Sequence, residues 1–289
     1  METYHTASAD IKELAARIRM ATLDAMASFG SGHVGGCMSI ADTLAVLYGC
    51  IMHYDPKDPG WAGRDRLVLS KGHCGPALYA ALALSGFFPT EWLRTLNQPE
   101  TRLPSHCDRL KTPGIDVSTG SLGQGASLAC GLAMAAKLQG KAHFVYAILG
   151  DGELQEGQVW EAFQFAAQQR LGRLIFLIDR NRFQLDGRVA DISDLEPLEE
   201  KLSAFRLRVR QVNGHDVDEI ERVLSEICSA PGENAHAVIL NTRKGGGYCF
   251  AEQAAKCHYM AISETEAEIG KQEILRRLRE TLPVEGYYD

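Results

Sequence analysis

The stretch HFVYAILGDGELQEGQVWEAFQFAAQQRLGRLIFLIDRN, residues 143–181, decides the fold class of this chain. Residues 143–149 form a continuous apolar run that predicts a buried strand, and residues 174–178 predict a second one. Between them, residues 159–169 carry the apolar periodicity of a helix. A strand, turn, helix and strand in this order predict two parallel neighbouring strands, and the residues that follow each strand then lie at one edge of the sheet.

Helices and strands alternate in the rest of the sequence as well. Helices are predicted at residues 11–29, 39–50, 76–84, 121–138, 217–229 and 264–282, and further strands at residues 66–69 and 237–241. Such alternation is typical of an α/β fold with a mostly parallel sheet and helices on both faces. Since no segment is rich enough in Pro, Gly or Ser to mark a domain boundary, we expect a single domain over residues 1–289.

The composition and the N-terminal sequence argue against several classes of protein. A formal net charge of -7 argues against nonspecific nucleic-acid binding. The apolar runs are far shorter than a membrane span, and the N-terminus lacks the pattern of an export signal, so we expect a cytoplasmic protein without a membrane partner. The eight cysteines form no CxxC pair, which favours reduced thiols over a zinc site or a disulfide framework.

The turns that follow the two strands of the 143–181 stretch carry candidate metal ligands. Asp151 lies between Gly150 and Gly152, and Asn181 follows the next strand. The glycines permit a sharp turn and a close approach of the backbone to a phosphate. If the strands are neighbours, the Asp151 carboxylate, the Asn181 amide oxygen and a nearby main-chain carbonyl converge. Mg²⁺ and Ca²⁺ prefer such oxygen ligands, and Mg²⁺ commonly shares phosphate oxygens.

Residues 150–181 resemble the thiamine diphosphate motif of transketolases. The same resemblance extends over SGHVGG (31–36), DRLVLSKGHCGPALYAAL (65–82), LKTPGIDVSTGSLGQG (110–125) and VNGHD (212–216). It implies the thiamine diphosphate-binding fold, with thiamine diphosphate and Mg²⁺ or Ca²⁺ as cofactors. It also implies that Asp151, Asn181 and the carbonyl of Phe183 are the metal ligands. Glu156 is expected near a subunit interface, within the hydrogen-bond network that activates the cofactor.

The resemblance further implies a set of substrate and cofactor contacts. Histidines matching His33, His73, His106 and His258 line the reactive end of the cofactor in transketolases and bind the first carbons of the sugar; imidazole suits proton transfer near neutral pH. Of the nine histidines, the others, including His215, are assigned no catalytic role. The residues expected to contact the cofactor are His73, Gly120, Ser121, Leu122, Gly150, Asp151, Gly152, Glu156, Asn181, Leu185 and His258.

Several residues depart from the transketolase pattern around the expected substrate channel. Val34 stands where proline is common, Pro104-Ser105 precede His106 where glycine is usual, and Cys257 replaces a tryptophan before His258. Residues 243–248 read RKGGGY in place of the commoner KGKG run. Because these changes concern the sugar more than the chemistry, a transketolase specialised for a sulfonated or branched sugar stays open.

The resemblance implies that this chain is only part of an active transketolase. The pyrimidine and C-terminal domains, with the glutamate that activates the cofactor, are expected on a separate chain. Two copies of each chain would transfer a two-carbon ketol unit from a ketose phosphate to an aldose. Three alternatives stay open: an enzyme like 1-deoxyxylulose-5-phosphate synthase, a 2-oxo-acid dehydrogenase component, and a noncatalytic binding protein.

Overall fold

The computed structural model describes residues 8–254 and 256–281. Its helices are α1 (Ser8–Phe29), α2 (Val34–Ser39), α3 (Ala41–Val46), α4 (Gly75–Leu84), α5 (Gln124–Leu138), α6 (Gly157–Gln168), α7 (Val189–Ile192), α8 (Leu198–Ala204), α9 (Val217–Ser229), α10 (Cys249–Gln253) and α11 (Glu264–Thr281). Its strands are β1 (Ser31–Gly32), β2 (Arg66–Leu69), β3 (Val145–Gly150), β4 (Leu174–Arg180), β5 (Phe183–Gln184), β6 (Gly187–Arg188), β7 (Arg208–Asn213), β8 (His236–Asn241) and β9 (Met260–Ala261). Within these residues, none of the helices combines the length and the apolar character needed to cross a bilayer.

Five strands form one parallel sheet in the order β2-β3-β4-β8-β7. The mostly parallel sheet predicted from the sequence is therefore confirmed. Strands β3 and β4 are neighbours, and their register pairs Gly150 with Asp179. Asp151 and Asn181 consequently leave the sheet side by side at its carboxyl edge, which is where open α/β sheets bind ligands.

Side chains on alternate positions of the central strand pack into two separate cores. Ile175 and Leu177 face a core built with α1, α3, α4 and α9, whereas Leu174, Phe176 and Ile178 face a core built with α5, α6 and α8. Period-two alternation on a strand that is buried on both faces explains why this stretch is apolar throughout. Helices therefore cover both faces of the sheet, as expected.

Two elements differ from the sequence-based expectation. Most of the helix predicted over residues 39–50 is present as α3 and a π-helical turn at Leu47–Ile51, but it begins only after a break at Ile40, where φ is -105° and ψ is 3°; α2, which was not predicted, ends at this break. The Ser39 hydroxyl beside this break bonds to Asp179 at 2.7 Å, and local periodicity carries no information about such a long-range contact. The edge strand β7 was not predicted, because its sequence RVRQVN is largely polar and exposed. Of the helix predicted over residues 264–282, the last residue lies outside the described part.

A short antiparallel ribbon joins the two ends of the chain. In it, β1 pairs with β9 so that Gly32 faces Met260. Beside the ribbon, the Gly35 N–H donates to the Cys257 carbonyl at 2.8 Å. Residues that are more than two hundred positions apart in the sequence are thereby held together, and His33 and His258 lie next to these contacts.

Candidate active site

A cavity of about 410 Å³ opens at the carboxyl edge of β3 and β4. Residues between positions 33 and 258 of the sequence line it. Nearly all of the residues expected to contact a cofactor or a metal lie in its wall; Ser121 is exposed and is not one of them. The lining residues are His33, Gly36, Lys71, His73, His106, Gly120, Leu122, Gly150, Asp151, Gly152, Glu153, Gln155, Glu156, Asn181, Phe183, Gln184, Leu185, Lys244 and His258.

The two predicted metal ligands that act through side chains, Asp151 and Asn181, are both buried. The Asp151 carboxylate accepts the Gly152 N–H at 2.9 Å and the Arg182 N–H at 2.5 Å. The Asn181 amide oxygen accepts the Phe183 N–H at 3.1 Å. An oxygen of this type has a second lone pair, so these backbone contacts orient both side chains and leave acceptor capacity for a cation.

A buried ion pair that the sequence analysis missed lies beneath this site. Asp179 is fully buried and accepts hydrogen bonds from Lys71 Nζ at 2.5 Å, from Asn181 Nδ2 at 2.8 Å and from Ser39. Burial works against both charges, but each partner stabilises the other, so the pKa of Asp179 is lowered and that of Lys71 is raised. Because the Asn181 Nδ2 group donates to Asp179, the side-chain amide of Asn181 is fixed with its oxygen pointing away from Asp179.

Glu153 ties together three of the loops that line the cavity. Its carboxylate accepts the Gly123 N–H at 2.9 Å, the Gly150 N–H at 3.0 Å and the Ser70 hydroxyl. Ser70 follows β2, Gly123 precedes α5 and Gly150 ends β3. One buried side chain therefore sets the spacing of three separate backbone segments. The sequence signal for it was present in the GDGE run, but a glutamate after a turn is usually solvated.

The loop at Gly120 needs a glycine. Its φ is +145°, and a Cβ there would lie 2.8 Å from Cδ2 of His106. Any larger residue would displace either the backbone or the imidazole. The glycine at position 120 of the TGSLG run is thus explained by the close approach of this loop to a side chain of the cavity.

The four histidines singled out in the sequence meet in the cavity. The ring centroid of His33 lies 5.2 Å from His73, 5.8 Å from His106 and 5.2 Å from His258, and the last of these is 5.1 Å from His73. The Tyr259 ring packs edge-on to His33 at 4.9 Å. Their placement agrees with the sequence analysis, whereas their chemical roles stay predictions.

Partial burial keeps three of these imidazoles, those of His33, His106 and His258, neutral. Burial, followed by the neighbouring His73, lowers the pKa of His33 to about 4. Burial and the Lys244 ammonium lower the pKa of His258 to about 4, and Lys244 Nζ lies 3.5 Å from His258 Nδ1. The pKa of His106 is also lowered, by burial and by His73. At neutral pH these three rings therefore offer hydrogen-bond donors and acceptors without positive charge.

Comparison with known proteins identifies the family. Residues 11–277 match the family described as "Transketolase, thiamine diphosphate binding domain". The chain belongs to the transketolase family. The relatives with separate subunits include a 6-deoxy-6-sulfo-D-fructose transketolase subunit of Clostridium sp. (strain MSTE9), which is 50% identical over 88% of this chain and 92% of that protein. An apulose-4-phosphate transketolase subunit of Actinobacillus succinogenes is 38% identical over 91% of this chain and 94% of that protein.

Solved transketolases share the fold. The transketolase of Campylobacter jejuni is 33% identical, with a TM-score of 0.84 over 91% of this chain and 42% of that one. The transketolase of Leishmania mexicana is 32% identical, with a TM-score of 0.85 over 97% of this chain and 43% of that one. The chain thus spans less than half the length of these enzymes and nearly the whole length of the subunits named above. It is a thiamine diphosphate-binding transketolase subunit of the N-terminal type.

The cavity contains buried oxygen atoms beside the predicted metal ligands. Burial and the neighbouring Asp179 raise the pKa of Asp151 to about 7. Gln184 Oε1 is a buried oxygen without a hydrogen-bond partner in the described part of the chain. Residues 8–254 and 256–281 contain no cluster of three or more His, Cys, Asp or Glu suited to a metal. That finding is compatible with the predicted set, which has one carboxylate, one amide and one carbonyl.

Proposed function

We propose that this chain is the diphosphate-binding subunit of an enzyme that transfers a two-carbon ketol unit from a ketose phosphate to an aldose. The observation that carries the proposal is the meeting of four imidazoles with Asp151 and Asn181 in one cavity. Cation ligands at one end and neutral proton carriers at the other match a cofactor with an anionic tail and a reactive ring. A noncatalytic relative would have no need to retain both groups.

Asp151, Asn181 and the carbonyl of Phe183 would hold Mg²⁺ or Ca²⁺, which shares oxygens of the diphosphate. Thiamine diphosphate, when bound, supplies the electron sink for cleavage of a carbon–carbon bond. The protein orients it: Gly120 and Leu122 line one side of the cavity, and Lys244 adds a buried positive charge that favours an anionic ligand. The contacts of Leu185 and Glu156 with the cofactor belong to the same proposal.

The histidines supply the proton transfers. A neutral imidazole can donate from one ring nitrogen and accept at the other, so His33, His73, His106 and His258 can bind sugar hydroxyls and move protons between them. Their shared cavity keeps the reacting atoms within reach of several rings at once.

A second subunit completes the site in this proposal. It carries the pyrimidine domain and the glutamate that activates the cofactor, and the names of the two relatives as subunits support it. Large apolar side chains at the rim of the cavity are exposed, including Leu122, Leu185 and Tyr259. An apolar rim of this kind suits a protein partner. We also infer two copies of each chain, and action in the cytoplasm, which fits the eight free cysteines.

The test is reconstitution. The full chain alone should bind thiamine diphosphate with Mg²⁺, measured by titration calorimetry, and should show no ketol transfer. Addition of a second chain with a pyrimidine domain should produce cofactor-dependent turnover, followed with xylulose 5-phosphate as donor and ribose 5-phosphate as acceptor. Turnover by the chain alone would rule out the two-subunit proposal. Preference for pyruvate as donor would favour an enzyme like 1-deoxyxylulose-5-phosphate synthase.

A second candidate concerns the sugar. The 50% identity with the Clostridium subunit favours 6-deoxy-6-sulfo-D-fructose as the donor. Cleavage between C2 and C3 of that ketose transfers C1 and C2 and leaves a four-carbon sulfonated aldose. We expect the reconstituted enzyme to prefer this donor over xylulose 5-phosphate by about tenfold or more in kcat/KM. Equal or faster turnover of xylulose 5-phosphate with ribose 5-phosphate would argue against such specialisation.

A further inference from the structure

The loop 243–247, which follows β8, separates two cavities. Its Lys244 lines the 410 Å³ cofactor cavity in front. Its Arg243, Gly246 and Gly247 line a second cavity of about 640 Å³ behind, together with His215. Whatever holds the back of this loop therefore also determines where Lys244 lies at the front.

A chain of hydrogen bonds holds the back of the loop. The buried Arg19 guanidinium donates to Asp42, with Nη1 at 2.9 Å from Oδ1. Asp42 Oδ2 lies 2.9 Å from His215 Nδ1, and the Arg243 N–H donates to His215 Nε2 at 2.8 Å. Because a backbone N–H can only donate, Nε2 must be the unprotonated nitrogen. The ring is then a neutral imidazole that donates from Nδ1 to Asp42.

The loop lies directly against this ring. A Cβ at Gly246 would be 2.7 Å from Cε1 of His215, and the carbonyl of the same glycine accepts Arg19 Nε at 3.2 Å. At Gly247, where φ is +92°, a Cβ would be 2.5 Å from Arg19 Nε. The glycines of the RKGGG run allow this close packing, so the loop cannot shift toward His215 without a clash.

The front of the loop contacts the active site. Lys244 is buried, and its Nζ donates to the Leu185 carbonyl and lies 3.5 Å from His258 Nδ1. The Gly245 N–H donates to the Gly35 carbonyl at 3.0 Å, two residues from His33. A displacement of the loop would therefore move a charged group beside one catalytic candidate and loosen the segment that carries another.

We propose that His215 is a positioning residue for this site: it fixes Lys244, and through Gly245 the His33 segment, by accepting the Arg243 N–H while Asp42 holds its tautomer. The inference rests on the proposed function for its catalytic consequence, but its structural content concerns this chain alone. His215 itself does not line the cofactor cavity and touches neither cofactor nor substrate in this proposal.

The test compares two substitutions of similar size. His215→Phe removes both hydrogen bonds, whereas His215→Gln keeps one donor and one acceptor on a planar group. In His215→Phe, amide hydrogen exchange at Arg243 and Gly245 should accelerate about tenfold. Thiamine diphosphate with Mg²⁺ should bind the full chain several-fold more weakly, and kcat of the reconstituted enzyme should fall with it. His215→Gln should restore most of each loss, and His53→Phe, at an exposed histidine, should change none of them.

Two results would overturn the inference. One is unchanged exchange at Arg243 and Gly245 in His215→Phe; the other is equal losses in His215→Phe and His215→Gln, which would indicate a space-filling role. If His215→Phe does not fold, the ¹⁵N spectrum of His215 in the wild-type protein still tests the proposal. It should show a protonated Nδ1 and an unprotonated Nε2. The opposite tautomer would overturn the proposal. Exchange and cofactor-binding effects without any ketol transfer would support it while contradicting the proposed function.

Discussion

The two ends of the cofactor cavity are built in different ways. The end proposed to bind the diphosphate, called the diphosphate end below, takes its metal-ligand candidates from one contiguous stretch, in which Asp151 and Asn181 follow neighbouring strands paired at Gly150 and Asp179. The histidine end comes from positions 33, 73, 106 and 258, and only the folded chain brings the last three rings to 5.2–5.8 Å from the His33 ring. The register between β3 and β4 brings Asp151 and Asn181 together, and the buried Lys71–Asp179 pair orients Asn181, whereas long-range contacts such as the β1–β9 ribbon place the histidines.

The two ends also differ in electrostatics. The diphosphate end holds buried charges in hydrogen-bond networks, with Lys71 against Asp179 and Glu153 against three donors. At the histidine end, partial burial lowers the pKa values of His33, His106 and His258, so these rings are neutral at pH 7. A charged site held by many hydrogen bonds suits the binding of an anionic cofactor tail. A neutral site with several imidazoles suits proton exchange with sugar hydroxyls.

The largest expected effect comes from removing a metal-ligand candidate at the diphosphate end of the cavity. Asp151→Ala removes the only carboxylate of the predicted metal ligands, and it should weaken Mg²⁺-dependent binding of thiamine diphosphate by more than about 100-fold, since residues that merely orient metal ligands already contribute about 10- to 100-fold. Titration calorimetry measures the loss. Asp191→Ala, at a nearby exposed aspartate, is the control. Binding that survives in Asp151→Ala would mean that the metal site lies elsewhere.

The second prediction tests the clamp between the loops. Glu153→Ala leaves buried N–H groups of Gly123 and Gly150 and the Ser70 hydroxyl without their acceptor, so the free energy of unfolding should fall by about 2–3 kcal/mol. Urea unfolding followed by circular dichroism measures it. Glu153→Gln keeps an acceptor oxygen and should lose less. Equal unfolding midpoints for wild type and Glu153→Ala would contradict the clamp.

The third prediction concerns the pH response of the neutral end. Because the pKa values of His33 and His258 are lowered to about 4, the unfolded chain binds more protons than the folded one between pH 4 and the ordinary value of 6.5. This contribution to stability is fully present above pH 6.5 and is lost as the pH falls toward 4. Proton NMR should show both rings titrating below pH 5 in the folded chain. A midpoint near 6.5 for either ring would contradict their burial.

The smallest expected effect concerns the contact of Tyr259 with His33 at the histidine end. Tyr259 packs edge-on to His33, and its hydroxyl lies 2.7 Å from the Ser31 hydroxyl. Tyr259→Phe removes this exposed hydrogen bond and keeps the ring, so the donor KM should change by less than about threefold. Tyr259→Ala also removes the ring contact and should shift the ring-proton resonances of His33, whereas Tyr259→Phe should not. Identical spectra for both variants would exclude the contact in solution.

Sequence analysis predicted the parallel sheet because strands buried on both faces are continuously apolar. It missed β7, whose edge position leaves it exposed and polar. The helix predicted from residue 39 begins only at Ala41, after the break at Ile40, because apolar periodicity does not record the bond from Ser39 to Asp179. In the site, sequence analysis found the metal-ligand candidates and the four histidines, but it missed Lys71, Glu153 and Lys244, whose partners lie on other elements.

By itself, the sequence of this transketolase subunit determined the order of strands and helices in the central unit and the residues that follow each strand, because apolar periodicity and glycine turns are local properties. Only the tertiary structure decided that four distant histidines share one cavity, that Asp179 pairs with Lys71 beneath Asn181, and that His215 lies behind Lys244. Such contacts depend on which elements pack together, and burial then sets the charge of each group, since the cost of desolvating an ion depends on its surroundings in the fold.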